Sequence, residues 1–125
     1  NEAFDLVTCM ELLEHVPDPL SVVTACAELL RPGGKAIFST INRSLGAWLK
    51  TIVAAEHLLG LLPKGTHRYE NFIRPAELAA WGRAANLRVI DITGVDYRPI
   101  TQTFYLVPEP RANYMMCLAR PMAND

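Results

Sequence analysis

The chain has 125 residues, half of them hydrophobic, and 12 basic against 13 acidic side chains leave a formal net charge of −1. That length builds one core rather than two domains. Charges of both signs are scattered along it, so there is no basic field to hold a nucleic-acid backbone, and nucleic acid is not an expected partner.

Ala3 to Met10 (AFDLVTCM) is apolar and β-branched without a helical period, as in a strand covered on both faces of a parallel sheet. Glu11 to Val16 has room for about one helical turn before Pro17. Asp18-Pro19 then reads as an N-cap followed by proline in the first helical position, opening a helix from Pro19 to about Leu30. Val22, Val23, Cys26, Leu29 and Leu30 recur at helical spacing, and Arg31-Pro32-Gly33-Gly34 supplies turn chemistry. Lys35 to Ile41 (KAIFSTI) is the next strand, which makes a βαβ unit with parallel strands.

Leu45 to Leu62 is predicted as a long apolar helix and Pro63 to Phe72 as a polar loop. Arg74-Pro75 opens another helix to about Asn86. Leu87 to Val95 and Asn113 to Ala119 read as strands, and the prolines between them confine Tyr97 to Arg111 to a loop or ragged hairpin. Alternating strands and helices of this kind indicate an open α/β sheet. Such sheets bind nucleotide-like ligands beyond the carboxyl ends of their strands, usually over a glycine-rich turn. No G-x-G-x-x-G occurs here, and Gly33-Gly34 leads into a strand, not a helix. The expectation is a fragment of an α/β domain.

Cys9, Cys26 and Cys117 are odd in number and widely spaced, which argues for reduced thiols in a cytoplasmic protein and against a disulfide framework or structural zinc site. Acidic Glu2 and Asp5 stand where a secretion leader needs basic charge. The most apolar stretch, Ala47 to Leu62, is interrupted by Lys50, Glu56 and His57 and is shorter than the ~20 residues of a spanning helix.

The sharpest constellation for chemistry follows the first strand: Met10-Glu11-Leu12-Leu13-Glu14-His15. On one helical turn, Glu14 and His15 fall at i+3 and i+4 from Glu11, so all three can share a face. Two carboxylates and an imidazole can ligate a divalent cation, magnesium or manganese by their oxygens, or zinc with the imidazole. The plainer alternative is that the acids complement a helix N-terminus and His15 caps the short helix.

FDLVTCMELLEHVPDP, LLRPGGKAIFSTINR, LPKGTH, FIRPAEL, YRPIT and the terminal NYM together resemble the UbiG-type ubiquinone-biosynthesis O-methyltransferases, over essentially all 125 residues. The first two segments are of a kind shared by many class I methyltransferases; the others carry the narrower likeness. The resemblance implies a Rossmann-like class I methyltransferase sheet in its carboxy-terminal half, strands four to seven with flanking helices. Residues 1–125 are then the carboxy-terminal part of one domain whose glycine-rich half lies upstream.

The resemblance also implies S-adenosyl-L-methionine as cofactor, with Met10 beside it, where a structural reading would make Met10 an ordinary core methionine. It implies Mg2+ held by Glu11, Glu14 and His15. The implied substrate is a polyprenyl phenol or quinol, namely 2-polyprenyl-6-hydroxyphenol and 3-demethylubiquinol, whose hydroxyl a metal would acidify and orient. No general base is assigned: Lys64 and His67 read as solvated loop residues, and Tyr97, Arg98, Phe104 and Tyr105 receive no role. For Ala47 to Leu62 three readings stand open: a buried core helix, a wall for a polyprenyl tail, or an interfacial helix touching lipid on the inner face of a membrane. Two alternatives to the main reading are another small-molecule methyltransferase and a membrane-peripheral binding fragment without activity of its own.

Overall fold

The computed structural model describes residues 3–43, 72–98, 100–101, 103–110 and 112–122. The predicted helix at Leu45–Leu62 and nearly all of the loop after it, with Lys64 and His67, lie outside the described residues. In chain order the elements are β1 (Phe4–Met10), a 3-10 turn (Leu13–His15), α1 (Pro19–Leu29), β2 (Leu30–Ile41), α2 (Pro75–Ala84), β3 (Arg88–Arg98), β4 (Thr103–Val107) and β5 (Asn113–Ala119). Among the described residues they form one sheet in the order β1-β2-β5-β3-β4. β1 and β2 are parallel and every other pair is antiparallel.

The βαβ unit forms as its sequence dictates. Pro19 occupies the start of α1, and the Asp18 carboxylate accepts the Ser21 hydroxyl at 2.5 Å, closing the first turn. Strand β2 begins earlier than the turn chemistry predicts. Phe4 already stands opposite Leu30, whereas Leu6 stands opposite Lys35, so Arg31 to Gly34 bulge out of the ladder. Gly33 takes φ 84 inside this bulge, a conformation that glycine adopts without steric cost. The turn signal is therefore real, but it is spent within the pairing.

Alternation along the strands decides which face is the core. Ala36, Phe38 and Thr40 on β2, and Tyr114, Met116 and Leu118 on β5, are buried, as side chains two apart share one face. They pack with Val23, Cys26 and Ala27 of α1 and Leu78 and Ala79 of α2, so both helices cover the same side of the sheet. Leu29, expected in the helix stripe, is exposed; the chain leaves the helix there and Leu30 takes the buried place. Phe4, Leu6 and Met10, on the opposite face of β1, are exposed. Each fully buried Leu or Phe contributes roughly 1.5–3 kcal/mol, and strands β2 and β5 supply the sheet side of this core.

The region between β3 and β5 is a hairpin, more ordered than the prolines imply. β3 runs on to Arg98 and pairs antiparallel with β4, with Gly94 opposite Val107 and Arg98 opposite Thr103. Pro108 and Pro110 fall just beyond β4, where no ladder N–H is needed. At Gly94 an added Cβ would lie 2.2 Å from the Glu109 carbonyl oxygen and 2.6 Å from Val107 Cγ2. The nearer neighbour is main chain and cannot rotate aside. Gly94→Ala is expected to destabilise the fold by about 2–3 kcal/mol, read as a lower denaturant midpoint; a midpoint equal to wild type would show that the hairpin gives way easily.

Candidate functional site

Polar groups converge where β1 ends. Met10 pairs with Ser39 of β2 and is 50% exposed, so it faces out from the sheet and is not a core methionine. At Glu11 the backbone turns sharply, with φ 53. A non-glycine residue at positive φ is uncommon and persists only where its surroundings hold it. Here Ser39 of the parallel neighbour does so: the Glu11 N–H donates to the Ser39 carbonyl at 2.9 Å and lies 3.0 Å from its hydroxyl oxygen.

This geometry corrects the expected single helical face. The helical turn starts at Leu13, leaving Glu11 outside it, because the left-handed residue and Pro17 confine the turn to three residues. The kink nonetheless brings the two acids together, and the Glu11 carboxyl hydrogen-bonds that of Glu14. Glu14 is buried and its Oε2 accepts the hydroxyl of the fully buried Thr40 at 2.7 Å. Its side chain thus runs to β2, not to a helix N-terminus as the capping alternative requires. His15 Nε2 lies 3.9 Å from Glu14 Oε1, and its side chain is half-exposed. Asn113, the first residue of β5, donates from Nδ2 to Glu11 Oε1 at 3.1 Å. Glu11 and Glu14 are in contact and His15 stands beside Glu14, but among the described residues no three His, Cys, Asp or Glu side chains converge as a ready ligand set.

Ser39, Thr40 and Asn113 were not singled out in the sequence. The signal was there for the first two: a Ser-Thr pair ends an apolar strand parallel to the one carrying the acids. Asn113 could be found only through the pairing of β5 with β2, which sets it opposite Ile41.

Desolvation of the Glu11 carboxyl, then the negative charge of Glu14 and the hydrogen bond shared with it, raise Glu11 from 4.5 to about 7, against a smaller opposing pull from Asn113. By area Glu11 is exposed, but its carboxyl end lies between these two partners, which is the part that titrates. The folded state therefore holds the proton more tightly than the unfolded chain. The resulting stabilisation is full below about pH 4.5 and is lost as pH rises through about 7. In metal-free buffer the denaturant midpoint is expected to fall from pH 5 to pH 8, and Glu11→Gln to flatten that slope. An equal slope in the variant would place the titration elsewhere. Burial also lifts the Cys9 thiol to about 11, beside Cys26, leaving an inert pair in the core.

An open α/β sheet with a polar cluster past the carboxyl end of a parallel strand is the usual setting for a ligand site. A family model described as a methyltransferase domain matches residues 1–92. The chain belongs to that methyltransferase domain family. Curated relatives are similar over most of the chain. A protein from Coxiella burnetii named ubiquinone biosynthesis O-methyltransferase is 53% identical over 116 residues, covering 93% of this chain and 50% of the relative. Like-named proteins from Pseudomonas fluorescens and Methylococcus capsulatus are 53% and 52% identical, covering 92% and 96% of this chain and 50% and 51% of their own lengths. The chain thus spans about half the length of these relatives.

Solved structures share the fold. A SAM-dependent methyltransferase from Thermotoga maritima superposes with a TM-score of 0.64 at 15% identity, covering 96% of this chain and 57% of that one. Magnesium protoporphyrin IX methyltransferase from Synechocystis gives 0.60 at 15%, covering 96% and 46%. The methyltransferase domain described here has the Rossmann-like class I fold that its sequence led one to expect.

Proposed function

We propose that this chain is the carboxy-terminal part of an S-adenosyl-L-methionine-dependent O-methyltransferase acting on a polyprenylated catechol or hydroquinone of ubiquinone biosynthesis, and that it supplies the acceptor side of the reaction. The observation that carries the reading is the 53% identity, over 93% of the chain, to relatives named for that activity. The cluster at the end of β1 supports it chemically.

Two carboxylates side by side are donors of the kind a hard divalent cation takes, though among the described residues they do not converge with a third ligand. Desolvation first, then the charge of Glu14 and the hydrogen bond shared with it, raise Glu11; a cation would relieve that repulsion where a proton otherwise does, and carboxylate oxygens suit Mg2+. Glu11, Glu14 and His15 are the residues that would hold it. Held there, an ion would lower the pKa of a catechol hydroxyl and orient it. Thr40 and Asn113 fix one oxygen of each carboxylate. Met10, exposed at the strand end, is the residue we assign to contact with S-adenosyl-L-methionine, which would supply the methyl group. Holding the two reactants side by side supplies much of the remaining rate.

Among the described residues no helix is long and apolar enough to cross a membrane; contact with lipid, on this reading, is peripheral and serves to meet the tailed substrate. The test is methyl transfer by the full-length protein to a prenylated catechol and, in parallel, to a prenylated ring without a hydroxyl pair. The catechol alone is expected to be methylated, with activity lost to EDTA and restored by Mg2+. Equal turnover of both acceptors would overturn the substrate class, and indifference to chelator would overturn the metal.

A further inference from the structure

Ser39 stands near the carboxyl end of β2, on the side of the sheet away from the helices. Its ladder partners are Met10 of β1 and Met115 of β5, and Asn113, two residues before Met115, shares that face. The Ser39 side chain is only 6% exposed. Its oxygen accepts the Glu11 N–H at 3.0 Å, but among the described residues nothing accepts the proton of the hydroxyl itself. The hydroxyls of Ser21, Thr40, Thr93 and Thr103, by contrast, each donate to a protein oxygen. A buried donor without an acceptor destabilises a fold and calls for an explanation. Support of Glu11 does not supply one, because the Ser39 carbonyl already accepts the same N–H at 2.9 Å. Alanine in this place would serve the fold as well.

The place of this donor says what it meets. It sits beside Met10, half-exposed at the strand end, where open α/β sheets take their ligands. A ligand that satisfies it brings an atom with a lone pair. Glu11 follows Met10 directly and its carboxyl contacts that of Glu14, so a second anion such as a carboxylate is disfavoured here by like-charge repulsion. A neutral phenolic hydroxyl meets both conditions: its oxygen accepts from Ser39 and its charge is zero. We infer that the Ser39 hydroxyl is a binding group for the methyl acceptor, donating to an oxygen of the acceptor's hydroxyl pair. This rests on the function proposed above.

The test uses the full-length protein with Ser39→Ala, which removes the hydroxyl and keeps the carbonyl that holds Glu11. KM for a prenylated catechol is expected to rise about three- to tenfold, the effect of losing one hydrogen bond between neutral groups. With kcat nearly unchanged, the lost interaction is one made alike in ground and transition states. KM for S-adenosyl-L-methionine and the urea midpoint are expected to stay at wild type. Ser39→Thr, which keeps a hydroxyl on a side chain suited to a strand, is expected to restore the catechol KM. An unaltered catechol KM in Ser39→Ala overturns the inference, and so does a rise confined to S-adenosyl-L-methionine. A fall in kcat alone also overturns it, by making Ser39 a support for Glu11 and nothing more. A Ser39→Ala protein that no longer folds would show that the hydroxyl serves the fold, against the inference. If wild-type protein methylates no catechol, the proposed function fails and this inference with it, whereas methylation with an unaltered KM sinks this inference alone.

Discussion

Glu14→Gln is expected to lower methyl transfer by the full-length protein by at least about a hundredfold and to abolish its rescue by Mg2+ after chelation. The amide keeps an oxygen to accept the Thr40 hydroxyl, now 2.7 Å from Glu14 Oε2, so the buried bond survives while the charge is lost. Residues that merely orient metal ligands change affinity by about 10- to 100-fold, and a ligand itself stands at or beyond the top of that range. Mn2+ binding followed by electron paramagnetic resonance reads the loss without recourse to turnover. Glu14→Ala makes the contrast: it strands the Thr40 hydroxyl in a dry site at a further cost of about 1–3 kcal/mol in stability. A Glu14→Gln protein that binds Mn2+ as wild type does would remove Glu14 from the ligand set.

The second large effect is on stability and belongs to Tyr114. Its ring is wholly buried in the centre of the core, and its hydroxyl donates to the Ile73 carbonyl at 2.7 Å, tying β5 to the segment that leads into α2. Tyr114→Ala is expected to cost about 3–5 kcal/mol, the range for deleting a buried aromatic ring. That is a large part of the 5–15 kcal/mol by which domains are usually stable. Tyr114→Phe keeps the ring and leaves the Ile73 carbonyl short of a donor, for about 1–2 kcal/mol. Urea midpoints at constant slope measure both. If the two variants lost the same amount, the hydroxyl and not the ring would dominate.

Much of this was legible in the sequence because it is local. Pro19, the spacing of Val23 and Cys26, and the alternation in KAIFSTI report directly on neighbours along the chain, and the elements they predict are present with small shifts. The β3–β4 hairpin was only half legible: prolines signal where a ladder ends, yet Thr103 to Val107 carry a pairing that depends on β3 lying alongside. The site divides in the same way. Glu11, Glu14 and His15 stand out by type and spacing, but i, i+3, i+4 logic assumes a regular helix. What decides their arrangement is the left-handed Glu11 and its bond to Ser39, 28 residues on. Thr40 and Asn113 likewise act through strand pairing, and periodicity carries no information about it.

The bond between Glu11 and Ser39 has one more consequence. By accepting the Glu11 N–H just past the last ladder partner of β1, Ser39 makes the kinked residue an extension of the sheet and not the first residue of a loop. Thr40 anchors Glu14 to the same strand, and Asn113 ties Glu11 to the next one. The two carboxylates are thus fastened to adjoining rungs of a rigid scaffold, and the entropy of ordering them is spent when the chain folds, not when a ligand arrives.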